Sequence, residues 1–157
     1  GVLESLRSWT EASGALLIVN DRPDLAVISG ADGVHLGQDD MEIRQARGIL
    51  GQGKLVGAST HTPDEWRQAV RGGADYAGVG PVFASRTKEF TDFAGLEYVR
   101  RIAMTNEIPW FALGGIGQKN IEQVAEAGAR RVAVSSCLAM SADPRGEAMQ
   151  MVSCLEP

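Results

Sequence analysis

Cysteine is scarce in this 157-residue chain, with only Cys137 and Cys154 present. Two cysteines cannot build a disulfide framework and match no zinc-ligand spacing, so a reducing, cytoplasmic setting is expected. Positive charge is short as well: 15 Lys plus Arg stand against 20 Asp plus Glu, a net charge of -5. Such a chain has no bulk electrostatic footprint for nucleic acid or an anionic membrane. Long apolar runs are missing too. Ala15–Val19 falls far below the roughly 20 residues that a membrane-spanning helix needs, and no secretory leader is expected. The two histidines, His35 and His61, allow no Ser-His-Asp arrangement to be read. Low-complexity linkers and charge blocks are absent, so residues 1–157 read as one domain. The first residue is Gly rather than Met, which suits a piece of a longer protein.

What is present is 44% hydrophobic residues and 22% charged ones, ordinary globular composition with enough apolar content for one sizeable core. Short apolar, β-branched runs predict strands at Ala15–Asn20, Gly33–Leu36, Leu55–Ser59, Tyr76–Val79, Trp110–Leu113 and Arg131–Ser135. Their near-continuous hydrophobicity suits parallel strands buried on both faces. Helices are predicted between and around them. Asp39-Asp40 opens Met41–Leu50, and Thr62-Pro63-Asp64-Glu65 opens a helix running to Arg71. Gln118-Lys119-Asn120 precedes Ile121–Ala127, whose end Gly128 marks, and helices near Glu4–Ala12 and Pro144–Leu155 flank the set. Pro in a first turn, acids at helix starts and Gly past helix ends supply these boundaries. Strand–helix alternation of this kind predicts an α/β fold with a parallel sheet.

An internal repeat narrows the fold. Gly30-Ala31-Asp32-Gly33-Val34-His35-Leu36-Gly37, Gly73-Ala74-Asp75-Tyr76-Ala77-Gly78-Val79-Gly80 and Gly128-Ala129-Arg130-Arg131-Val132-Ala133-Val134-Ser135 resemble one another. Each reads as a helix end, a Gly cap, a buried strand and a small residue at the strand's carboxyl end. Recurrence of one βα unit predicts a TIM-type (β/α) barrel, with a doubly wound open sheet as the rival. Six strands are found where a closed barrel has eight, so the barrel is expected to be incomplete.

In such barrels the active site forms at the carboxyl ends of the strands, so the segments after the strands give the candidate residues. Asp21 and Asp40 can converge on one hard cation such as Mg²⁺, which proteins hold by one or two carboxylates, waters and substrate phosphates. The alternative is that Asp40 is a helix N-cap and Asp21 a turn former. Asp39 is a weaker ligand, expected to face solvent. Gly114-Gly115 and Ser135-Ser136 follow the last two strands, where backbone N–H groups and a short helix beginning near Ser136 can meet a phosphate; a plain pair of tight turns is the alternative. Ser59, Ser85, Thr87 and Lys88 offer hydroxyls and one cation for a pyrophosphate, or form a solvated loop with Arg86 and Glu89. Cys137 reads as a packing residue, His35 as a hydrogen-bonded barrel residue and His61 as a lining or capping group.

Taken in order, Asn20-Asp21-Arg22, His35-Leu36-Gly37-Gln38-Asp39-Asp40, Ser59-Thr60-His61, Gly78-Val79-Gly80-Pro81-Val82-Phe83, Thr87-Lys88 and Gly114-Gly115-Ile116 resemble the thiamine-phosphate synthase family over residues 15–137. The resemblance implies a (β/α)₈ barrel that joins a hydroxymethylpyrimidine pyrophosphate to a thiazole phosphate, releasing pyrophosphate. It implies Mg²⁺ on Asp21 and Asp40, and the pyrimidine pyrophosphate on Asn20, Ser59 and Lys88. Ser85, Thr87, Gly115 and the backbone at Ser135-Ser136 would hold the thiazole phosphate. It further implies a dissociative substitution in which Mg²⁺ and Lys88 act on the leaving group, with Ser59 beside it.

Departures from the family pattern carry expectations of their own. The family begins with two further strands, the second bearing Gln-x-Arg-x-Lys, and nothing like that pattern precedes Ala15. An N-terminally truncated barrel is therefore expected, self-associating or completed by a second chain that covers its open sheet edges. Ser85 stands where the family usually has Thr, and Arg130-Arg131 where it usually has Asp-Gly. A related branch, the thiazole tautomerases, uses a His where this chain has Pro81. Tautomerase activity and an inactive phosphate-binding fragment are the alternative functions.

Overall fold

A single parallel sheet carries the chain, and each of its strands is short because only a few residues cross the buried layer before the chain turns outward. The computed structural model describes residues 1–84, 93–105 and 107–156. The strands are β1 (Ile18–Asn20), β2 (Gly33–Leu36), β3 (Leu55–Thr60), β4 (Tyr76–Val79), β5 (Trp110–Leu113) and β6 (Val132–Ala133). They lie in the order β1-β2-β3-β4-β5-β6, every neighbouring pair parallel. A doubly wound sheet reverses its strand order near the middle; this one never does. The result is a curled, incomplete (β/α) barrel. Among the described residues, β1 and β6 form its outer edges.

Helices α1 (Val2–Ser13), α2 (Pro23–Ile28), α3 (Ile43–Leu50), α4 (Pro63–Gly72), α5 (Gly95–Ala103), α6 (Ile121–Glu126), α7 (Ser136–Ala139) and α8 (Pro144–Leu155) complete the chain. The core lies between sheet and helices in two main apolar clusters. One joins Leu17, Ala26, Val34, Leu36, Ala46 and Val56; the other centres on Val79, Val99, Ala112, Ile121 and Val124. Among the described residues no helix is long and apolar enough to cross a membrane.

Several expected boundaries are corrected. The first strand begins at Ile18 rather than Ala15, and Leu16 is exposed. The last is two residues long instead of Arg131–Ser135. The helix after β2 starts at Ile43, with Glu42 at its N-cap, so Asp39-Asp40 does not open it and Asp40 is not its cap. Helices α2 and α5 were not expected from the sequence: α2 opens on Pro23 with Asp24 in its first turn, and neither N-cap, Arg22 or Ala94, makes a side-chain cap bond. The short helix expected near Ser136 is α7.

The repeat noticed in the sequence is a structural device for returning each helix to the sheet. At all three copies the Gly has positive φ. Its amide donates three residues back, and the following Ala amide five residues back: Ala31 to Ala26, Ala74 to Ala69 and Ala129 to Val124. That pairing is the Schellman helix end, in which a left-handed residue lets two amides satisfy the helix's last carbonyls. Ala31, Ala74 and Ala129 are buried as the chain re-enters the core.

The Asp that follows fastens the neighbouring strand. The Asp32 amide donates to the Leu17 carbonyl at 2.8 Å, while its Oδ2 accepts the Leu17 amide at 2.8 Å and Arg7 Nη1 at 2.7 Å. Asp75 repeats this with Val56, and its carboxylate is paired with Arg47. The third copy has Arg130 instead, which donates to the carbonyls of Ala125 and Ala129 and so caps its own helix end.

Two predictions follow from these clamps. Asp75→Ala strips the side-chain acceptor from the buried Val56 amide and should lower unfolding free energy by about 1–3 kcal/mol in denaturant titrations; an unchanged midpoint contradicts the clamp. The Leu17 amide, and after it Arg7, hold the Asp32 carboxyl below its ordinary 3.8. A depressed native pKa means stability that is complete above the unfolded pKa, about 4, and lost as pH falls through the native value. Melts recorded from pH 5 down to pH 2 should therefore show a shallower acid loss for Asp32→Asn than for the parent chain, and equal slopes contradict it.

Candidate active site

Because all six strands run the same way, their carboxyl ends open onto one rim. A cavity of about 890 Å³ is found there. Asn20 and Asp21 reach it from β1, Asp40 from the loop after β2, Ser59 from β3, Gly115 from the loop after β5, and Ser135 and Ser136 from the end of β6. Every site residue expected from the sequence that falls among the described residues lines this one space. Ser85, Thr87 and Lys88 lie outside the described residues. Asp39 and His61 also line the cavity. A smaller cavity of about 420 Å³ lies behind the β2–α3 loop beside Met41, Ile43 and Gln68; it shares Asp40 but none of the candidate hydroxyls.

The rim is built by sharp turns. Asp21 has φ 62 and is the non-glycine residue with positive φ among the described residues. A residue that carries a Cβ pays on the order of 1 kcal/mol in that region. The turn is held by the Asp21 amide donating to the His35 carbonyl at 2.9 Å and by the Arg22 amide donating to the Asn20 carbonyl at 2.7 Å. Asp40 acts one loop further on: its Oδ2 accepts the Gly37 amide at 2.7 Å, so the carboxylate closes its own turn and is oriented by it.

These two carboxylates, on neighbouring strand ends, are the metal-binding candidates. Among the described residues no group of three or more His, Cys, Asp or Glu side chains converges as a closed protein cage would require. Two carboxylates without thiolate or imidazole suit a hard cation that keeps waters and takes further oxygens from phosphate. The residues present thus fit Mg²⁺.

The glycine pair after β5 is required by close approach. Gly114 and Gly115 have φ 97 and 62, and a Cβ on either would lie 2.6 Å from Pro81 or 2.3 Å from the Ala84 carbonyl oxygen. The β4 exit loop is clamped on top of them, the Val82 amide donating to the Leu113 carbonyl and the Phe83 amide to that of Gly114. Asn120, read from the sequence only as part of a helix start, donates its amide to the Gly115 carbonyl and accepts the Gly117 amide.

The floor was not foreseen. Tyr76, Phe111, Leu113 and Ile18 lie under the rim residues. His35 is hydrogen-bonded to Tyr76 and Ser59, as expected for a barrel-interior histidine. Strand register brings the three together: His35 pairs with Gly57 and Gly57 with Tyr76, so the aromatic ring crosses the strand where there is no side chain. A Cβ at Gly57 would lie 2.1 Å from the Tyr76 ring. The cue was available in Gly57 between two polar-aromatic partners, but only once the register is known. Phe111 meets Tyr76 edge-on, with centroids 5.8 Å apart. Cys137 packs against the core, and burial, then Glu147, pushes its thiol up, which fits a packing role.

Comparison with known proteins agrees with this fold. A sequence profile for the family described as thiamine monophosphate synthase matches residues 2–138. The chain is 52% identical over 139 residues to a thiamine-phosphate synthase of Gloeobacter violaceus, covering 88% of this chain and 41% of that protein. It is 50% identical over 152 residues to one from Synechococcus sp. strain WH7803, covering 97% and 43%. It thus spans less than half the length of these relatives. Among solved structures, a thiamine phosphate pyrophosphorylase from Pyrococcus furiosus superposes with a TM-score of 0.87 at 34% identity, covering 98% of this chain and 74% of that one. A 3-hexulose-6-phosphate synthase from Salmonella typhimurium, at 19% identity and a TM-score of 0.70, shares the fold. With a profile match over residues 2–138, this chain belongs to the thiamine monophosphate synthase family.

Proposed function

We propose that the protein containing this chain is a transferase that couples hydroxymethylpyrimidine pyrophosphate to a thiazole phosphate, giving thiamine phosphate and pyrophosphate. The observation that carries this reading is the convergence of Asn20, Asp21, Asp40, Ser59, Gly115, Ser135 and Ser136, from five different strand ends, on one cavity. Two carboxylates at one side and hydroxyls with backbone amides at the other suit a substrate pair that brings a pyrophosphate and a separate phosphate.

The chemistry asks little of acids and bases. The bond from the pyrimidine methylene carbon to the pyrophosphate oxygen breaks with its electron pair on oxygen. The thiazole nitrogen then supplies the pair for the new carbon–nitrogen bond and becomes the ring cation. No proton changes hands, and no convincing general base stands among the candidate residues. Asp21 and Asp40 would hold Mg²⁺, which when bound stabilises negative charge on phosphate oxygens. Ser59 and Asn20 would donate to the pyrophosphate, with Lys88 as its counter-charge. Gly115 and the amides at Ser135 and Ser136 would hold the thiazole phosphate, together with Ser85 and Thr87. Pro81, where tautomerases carry His, supports the synthase reading over the tautomerase one.

The outer edges of β1 and β6 have no strand partner among the described residues. Exposed edges recruit further strands, so these are proposed to be covered by additional βα units or by a second copy. Sedimentation of the 157-residue chain should show association, whereas a monomer with a sharp cooperative melt contradicts this. For the reaction, pyrophosphate release should require both substrates and a divalent cation. Asp21→Asn and Asp40→Asn should each lower turnover by about a hundredfold or more. Thiazole-carboxylate isomerisation without metal, or no product even with the barrel completed, defeats the synthase reading.

A further inference from the structure

On the inner face of the sheet three side chains that line the cavity touch in a row. His35 Nδ1 lies 3.1 Å from the Tyr76 hydroxyl, and its Nε2 lies 2.9 Å from Ser59 Oγ. A neutral imidazole has one N–H and one in-plane lone pair, so only one of the two hydroxyls can donate to it.

The surroundings decide which. The Tyr76 hydroxyl lies against the β3 backbone, 2.5 Å from where a Cβ on Gly57 would be, and the ring is 5.5 Å from the imidazole. Burial pushes this phenol up to about 12, so it keeps its proton throughout the working range. Among the described residues its hydroxyl has His35 as its hydrogen-bond partner. Tyr76 and Ser59 both line the cavity, so the difference lies in their freedom to turn. The phenol O–H stays in the plane of a ring packed against β3, and with the proton on Nδ1 no described protein group would accept from it, which is costly for a half-buried donor. The Ser59 hydroxyl rotates about its own bond and can follow a ligand oxygen.

We propose that Tyr76 donates to His35 Nδ1, that this fixes the Nε2–H tautomer, and that Nε2–H donates to Ser59 Oγ, leaving the Ser59 proton to point into the cavity. Tyr76 and His35 are then positioning residues that make Ser59 a dedicated donor toward an anionic oxygen. Gly57 is part of the same device, since any side chain there would separate Tyr76 from His35. The functional value of the relay rests on the pyrophosphate reading above; its existence does not.

The test combines ¹⁵N–¹H spectra of the imidazole, on histidine-labelled chain, with turnover of the completed enzyme. In the parent protein His35 should show a protonated Nε2 and an unprotonated Nδ1. Tyr76→Phe, which keeps the ring's shape, should spread the proton over both nitrogens and lower kcat several-fold with little change in KM. His35→Gln places an amide donor where Nε2 stood and should keep about tenfold more turnover than His35→Ala. A protonated Nδ1 in the parent, an unaltered imidazole pattern in Tyr76→Phe, or a Gln variant no better than the Ala variant overturns the proposal. The spectra need no turnover, so failure of the proposed reaction would leave the tautomer result readable by itself.

Discussion

Parallel pairing in unbroken chain order is the constraint from which the site is built. Each strand must enter the sheet at the same end, so each must leave at the same end, and six exit loops are forced onto one rim. The cost is carried at the opposite end, where every helix has to stop and hand the chain back to the sheet. The glycine caps and the carboxylate clamps at Asp32 and Asp75 do this, and their repetition is why the sequence shows a repeat at all. The entry end is therefore regular, and the exit end is free to vary in chemistry.

That division explains what was legible beforehand. Strand positions and the barrel class could be read because buried parallel strands are continuous apolar runs, and because the cap motif recurs in the letters themselves. Asn20, Asp21, Asp40, Ser59, Gly115, Ser135 and Ser136 could be read as sharing one cavity because position just after a strand is all that the rim requires. Boundaries set by single hydrogen bonds could not. Asp40 looks like a helix cap in sequence, yet its carboxylate turns back to the Gly37 amide and the helix starts three residues later. Helices α2 and α5, which were not expected from the sequence, also lack a capping side chain.

Register was the other hidden quantity. Nothing in the letters says that His35, Gly57 and Tyr76 stand side by side, because that depends on how three strands slide against one another. Yet this alignment sets the floor of the cavity and the neighbours of Ser59. Arg130 shows a related limit: a basic residue at a position filled by Asp in the other repeats still satisfies backbone groups, but those of its own helix end. The same place in the fold can be secured by opposite charges when different backbone atoms are the target.

In the proposed function, residues from separate strands act on one bound anion and one ion. The most direct measurement is a crystal structure of the chain grown with Mg²⁺ and pyrophosphate. The expected result is a single ion held by both Asp21 and Asp40, with a pyrophosphate oxygen accepting from Ser59 Oγ. Density for the ion on one carboxylate alone, or for pyrophosphate away from Ser59, would contradict it.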